Sequence, residues 1–140
     1  MGKNLPLEDR ELIEAARGII RDRYLENRHH IGAALRTKSG RIYAAVHLDT
    51  YVGRASVCAE AIAVGQALSA GDREIETIVS VRHPRPREAN QEIQIVSPCG
   101  VCREMLADFA PGCTVLVPQN GGAARVPIRE LIPNKYFRKT

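Results

Sequence analysis

The sequence predicts an α/β fold: a mixed sheet of about five strands with helices on both faces. Three observations carry this. Segments with apolar residues at helical spacing alternate with short apolar runs of strand length. One pair of runs is joined by Lys38-Ser39-Gly40, a hairpin signal, and the helices between other runs ask for parallel pairing. A length of 140 residues with 44% hydrophobic content suits a single domain, 1–140, with one core.

Each element has a local cause. Leu7, Leu12, Ile13, Ala16, Ile19 and Ile20 recur near the helical period behind early acidic residues, so a helix runs from about Glu8 to Tyr24. "IGAALRT" and "RIYAAVHL" are the two strands of the hairpin. "SVCAEAIAVGQALSAG" is an alanine-rich helix, capped near Ser56 and closed by Gly71. "EIETIVSVRH" reads as a strand, "PRPREANQE" as a loop and "IQIVS" as a short strand. "CGVCREMLADFAPG" is a helix ended by Pro111 and Gly112. "CTVLVPQ" and "ARVPI" are strands around an Asn-Gly-Gly turn, and "IRELIP" is a short final helix.

Composition narrows the function. The net charge is +4, but Lys and Arg are scattered, with clusters only in "RHPRPRE" and "KYFRKT". Aromatic residues make up 4% and tryptophan is absent, which leaves few platforms for stacking bases and argues against a nucleic-acid partner. No apolar run approaches the roughly 18 residues of a membrane span. The first residues lack a secretory apolar core, and Pro6 takes the Ser/Thr position that a myristoylated Gly2 would need. The expectation is a cytoplasmic protein whose four cysteines are metal ligands or free thiols.

"VSPCGVC" carries the first chemical signal. Pro98 ends a strand, and Cys99 opens a helix that places Cys102 one turn further on the same face. The amides and dipole of a helix start favour thiolates. Zinc sites and redox dithiols share this spacing, so the motif alone leaves both open. "VCAE" is the third element. Cys58 also stands at a helix start, with Glu60 two residues on. If the two helix starts converge, Cys58, Cys99 and Cys102 supply three ligands and leave a fourth position open, as catalytic zinc requires. Cys-x-Glu followed by Pro-Cys-x-x-Cys is the pattern of zinc deaminases. Cys113 opens "CTVLV" and reads as a core residue.

On these motifs, with "IGAAL" in the first strand and "IRELIP" near the end, the chain resembles the cytidine deaminase / blasticidin S deaminase family over nearly its whole length. The resemblance implies a three-layer α/β/α cytidine-deaminase-like fold, bound zinc, and hydrolytic release of ammonia from a cytidine-like nucleoside or related aminopyrimidine. A blasticidin-type antibiotic or a free base is the alternative substrate. Glu60 would shuttle every proton. Many family members carry Arg directly after Cys-Ala-Glu, which offsets the negative charge of three thiolates. This chain has Ala61 there, as the blasticidin branch lacks that Arg too. Arg103 and the two helix dipoles are the expected substitutes.

The resemblance also points to substrate contacts. His47 and Asp49 stand where the family places Asn-x-Glu against ribose hydroxyls, and His29 where it places a Phe against the base. Tyr51 to Ser56 precedes Cys58 and could line the pocket. Tyr136, spaced from Pro133, matches an aromatic ring that covers a neighbouring subunit's site, which implies a homotetramer.

Overall fold

The structure is a computed structural model and describes residues 5–139; Gly2 lies outside them. The chain runs α1 (Leu7–Arg23), β1 (Ile31–Thr37), β2 (Ile42–Val46), a 3-10 turn (Gly53–Ala55), α2 (Ala59–Ser69), β3 (Ile75–Arg82), β4 (Gln94–Val96), α3 (Gly100–Phe109), β5 (Thr114–Gln119), β6 (Gly122–Pro127) and a last 3-10 turn (Ile128–Leu131). The sheet is mixed, with order β2-β1-β3-β5-β6.

It has six strands, counting the short run before the cysteines, which joins it through β3. One edge of β3 belongs to β1 throughout. The other edge is shared: Thr77 to Val79 pair in parallel with β5, and Ser80 to Arg82 pair antiparallel with β4. β4 thereby fixes where the next residues, Ser97 and Pro98, deliver Cys99. The final helix is a four-residue 3-10 turn, too short for α-helical hydrogen bonding between flanking prolines.

Alternation along the strands builds two cores. Leu35, Ile78 and Val115 face α2 and α3 and pack with Ala63, Val64, Ala67 and Leu106. Ala34, Val79, Val81 and Leu116 face α1 and pack with Leu12, Ile13, Ala16 and Ile20. Gly32 lets α1 approach β1: a Cβ there would lie 2.7 Å from the carbonyl oxygen of Ala16 and 2.9 Å from Cβ of Ile20. The Asn120-Gly121 turn has positive φ at both positions, 46° and 79°, which suits the twist of the β5–β6 hairpin.

Charge is buried on α1. Asp9 is fully buried on α1 and accepts from Arg125 of β6 and from Arg36 of β1, the latter at 3.4 Å. Arg36 also meets Glu76 at 3.2 Å. This network ties the first helix to strands across the sheet.

Candidate active site

Two helix starts meet where β1 begins and β2 and β3 end. Cys58 is the N-cap residue of α2 and Cys99 that of α3. The cap on α2 is therefore Cys58, not Ser56, whose hydroxyl instead accepts from the backbone N–H of Thr50 at 3.1 Å. An antiparallel bridge between Leu48 and Val57 closes the intervening loop and aims Cys58 inward. Cys102 follows in the first turn of α3 and is buried.

The three sulfurs all lie within 4.8 Å of one another. Cys58 and Cys99 are 3.7 Å apart, far beyond the ~2.05 Å of a disulfide. Two sulfurs on one tetrahedral zinc, each at about 2.3 Å, stand roughly 3.8 Å apart, so the donor set fits that ion. Cys113 is buried in the core behind α3, and burial pushes its thiol up to about 11. It takes no part in the cluster.

Electrostatics separate the three thiols. Burial pushes Cys58 and Cys102 up, and the Glu60 carboxylate adds to the rise at both. Burial acts on Cys99 in the same sense but is outweighed. The amide of Cys102, then the thiols of Cys58 and Cys102, then the amide of Val101 hold Cys99 below the ordinary thiol value, though no side-chain cap hydrogen bond closes. A divalent cation reverses the balance for the other two, since a coordinating thiol is deprotonated outright.

Glu60 stands in the first turn of α2 and is 5% exposed. Its Oε2 accepts from the hydroxyl of Ser80 on β3 at 2.7 Å. Ser80 went unnoticed in the sequence; the available signal was a serine between Val79 and Val81, two positions past Ile78 on the same face.

Arg103 reaches backbone carbonyls on two sides. Its Nε donates to the carbonyl of Pro98 at 2.9 Å and its Nη1 to the carbonyl of Leu131 at 3.0 Å. The side chain clamps the turn before Cys99 to the C-terminal segment.

The structure gathers His47 and His29 at the strand ends, with His30 and His83 beside them. Nδ1 of His47 accepts from the backbone N–H groups of His30 and Ile31, at 3.0 and 3.1 Å. An accepting nitrogen carries no proton, so the neutral ring bears it on Nε2. Burial lowers the pKa of His47, with His30 next in effect. His29 donates from Nδ1 to the carbonyl of His47 at 2.8 Å, so it is an ordered brace rather than a solvated turn residue. His30 is buried and accepts at Nε2 from the N–H of Asn27 at 2.8 Å. Tyr24 stacks on His83 with ring centres 4.0 Å apart. Asp49 is held through its backbone, and its charge is felt at His30 and His47. In the Tyr51 to Ser56 segment, Tyr51 is exposed beneath the Arg28 guanidinium at 4.4 Å. Tyr136 is 76% exposed in the C-terminal segment, which Lys135 anchors to Glu104 and Asp108 of α3.

A buried carboxylate beside three converging cysteine sulfurs is the equipment of a metal-dependent hydrolase. Comparison with known proteins sharpens that class. The profile of the cytidine and deoxycytidylate deaminase zinc-binding region matches residues 7–117. Blasticidin-S deaminase of Bacillus cereus is 51% identical over 135 residues, 96% of each chain. A cytidine deaminase of Sporosarcina psychrophila is 29% identical over 111 residues, 78% of this chain and 76% of that one. The crystal structure of the cytidine deaminase from Bacillus anthracis superposes with a TM-score of 0.77 at 26% identity, covering 94% of this chain and 90% of that one. The chain belongs to the zinc-binding cytidine and deoxycytidylate deaminase family, whose members are hydrolytic deaminases. Zinc is the family's ion, and the Cys58, Cys99 and Cys102 cluster is able to hold it.

Proposed function

We propose that this protein hydrolyses the exocyclic amine of a cytosine ring in a nucleoside-like substrate, with Cys58, Cys99 and Cys102 as zinc ligands and Glu60 as proton carrier. The observation that carries the reading is the buried Glu60 carboxylate set beside the three converging sulfurs. Zinc, when bound, supplies a Lewis acid that acidifies water at neutral pH.

Glu60 does the proton work. Its carboxylate takes a proton from water and delivers it to the ring nitrogen next to the amine-bearing carbon. The hydroxide left behind adds to that carbon, and Glu60 then takes the proton of the new hydroxyl and hands it to the amine, so that the C–N bond breaks, ammonia leaves and the oxygen stays on the ring as a carbonyl. The low exposure of Glu60 keeps bulk water from competing for these protons.

His47 and Asp49 bind the substrate. His47 meets it as a fixed donor through Nε2–H, because backbone amides occupy Nδ1. Asp49 has a carboxylate to accept from a hydroxyl or a cation. A donor-only histidine in place of an amide favours a substrate that presents an acceptor there. The 51% identity to an enzyme named for blasticidin S gives a nucleoside antibiotic of that kind specific support as a second reading.

The working form is a homotetramer, with Tyr136 reaching a neighbouring copy's site. Exposed Val101, Phe109, Tyr136 and Phe137, all on or beside α3, give that assembly apolar surface to bury. No helix among the described residues is long and apolar enough to cross a membrane. Four unpaired cysteines support a reducing compartment, the cytoplasm.

Ammonia release by the zinc-loaded protein, compared with Glu60→Gln at equal zinc content, tests the reading. Loss of turnover with retained zinc supports it; a Glu60→Gln protein that still turns over overturns the role of Glu60.

A further inference from the structure

We propose that Ser80 is a positioning residue for the deamination. The inference rests on the reading of Glu60 as proton carrier and assigns the group that aims it.

The strand pattern makes Ser80 unusual. Ile78, two residues earlier on the same face of β3, is a core residue under α2 and α3. An apolar side chain would continue that core, since a buried hydroxyl is tolerated only with a partner. Ser80 is 3% exposed, and its hydroxyl donates to Oε2 of Glu60 at 2.7 Å. Among the described residues this is the one hydrogen bond that the Glu60 carboxylate accepts, and no Lys or Arg pairs with it.

The bond joins two elements that would otherwise orient the carboxylate only through the Glu60 side-chain torsions. Ser80 is locked in the sheet on both sides, opposite Ala33 of β1 and Val96 of β4. Val96 lies three residues before Cys99, so the strand that places a cluster sulfur also places the donor on the carboxylate. With Oε2 tied to β3, rotation about the last torsion of Glu60 is arrested and Oε1 is left to exchange protons. A proton carrier held in one orientation loses less of each encounter to misalignment, and small displacements of reacting groups cost up to about 100-fold in rate.

The test compares Ser80→Ala, Ser80→Thr and Glu60→Gln, each loaded with zinc. Ser80→Ala is expected to lower kcat roughly 10- to 100-fold with KM within about twofold. Zinc content and the visible spectrum of the cobalt(II)-loaded protein should stay unchanged, which shows the thiolate set intact. Ser80→Thr restores a hydroxyl and should recover most of kcat. Wild-type kcat in Ser80→Ala overturns the proposal while leaving Glu60 in its role, provided Glu60→Gln is inactive. So does a Ser80→Ala protein whose loss lies in KM or in zinc content. If Glu60→Gln itself turns over normally, the underlying reading fails, and that outcome is distinct from the first.

Discussion

The sulfurs of Cys58 and Cys99 stand 3.7 Å apart although 41 positions separate them in the chain. Each is the N-cap residue of a different helix, and the two helices follow β2 and β4, strands that run in opposite directions. The fold thus spends two helix starts on one metal position, where amides and dipoles favour anions. One zinc or cobalt(II) per chain is the expected stoichiometry. Cys99→Ser and Cys102→Ser should lose stoichiometric metal, read by chelator competition and by the cobalt–thiolate absorption. Cys113→Ala should keep it, because that thiol is buried in the core away from the cluster.

The histidine cluster predicts acid sensitivity of definite sign. Burial lowers the pKa of His30 and His47; Arg85 adds to the effect at His30, and His30 adds to it at His47. Both rings are then neutral in the folded state at pH values where the unfolded chain begins to bind protons. Their contribution is complete above about pH 6.5 and is lost as pH falls below it, because unfolding takes up protons there. Protonation at Nδ1 of His47 would also turn two backbone N–H groups against a like donor. The drop in Tm between pH 7.5 and pH 5.5 should be smaller in His47→Asn than in the wild type. An equal drop would show that His47 carries none of the effect.

Asp9 predicts stability without chemistry. Its side chain is fully buried between Arg36 and Arg125 on the α1 side of the sheet. Removing one partner of a buried ion network leaves charge uncompensated, at about 3 kcal/mol. Asp9→Ala should lower the unfolding free energy in urea by about that amount, with kcat of the folded protein close to wild type. A loss of kcat at full folding would tie the network to the site.

Lys135 and Tyr136 predict a dependence on assembly. Lys135 pins the C-terminal segment to Glu104 and Asp108 and leaves Tyr136 in the open. Tyr136→Ala should raise KM several-fold while the protein still sediments as a tetramer. Lys135→Glu should weaken the assembly itself, seen as a concentration-dependent sedimentation coefficient. A wild-type protein that sediments as a monomer with full activity would remove the intersubunit role.

The motifs made the helix-start positions of the three clustered cysteines legible because each needs only its own neighbours: a strand end, a cap residue and one helical turn. The place of Glu60 in the first turn of α2 was legible for the same reason. Ser80 and the histidine cluster were not. Ser80 meets Glu60 only through the packing of α2 on β3, and the four histidines meet through strand register, which no local pattern fixes. The short run "IQIVS" was legible as a strand, but not its pairing of three residues with only part of β3. Arg103 was read by its charge, and the donations it makes to the carbonyls of Pro98 and Leu131 follow from tertiary packing. The Ser56 cap was read by residue preference, and the bridge between Leu48 and Val57 carried the chain two residues further before the helix began.

The most direct measurement is ammonia release by the zinc-loaded protein from cytidine, deoxycytidine, blasticidin S, cytosine and a short cytosine-containing oligonucleotide. Release from at least one of the three nucleoside-like compounds, abolished in Glu60→Gln at equal zinc content, is the expected result. Silence on all three by a protein that holds one zinc per chain would contradict the assignment of this site to a deaminase of cytosine nucleosides.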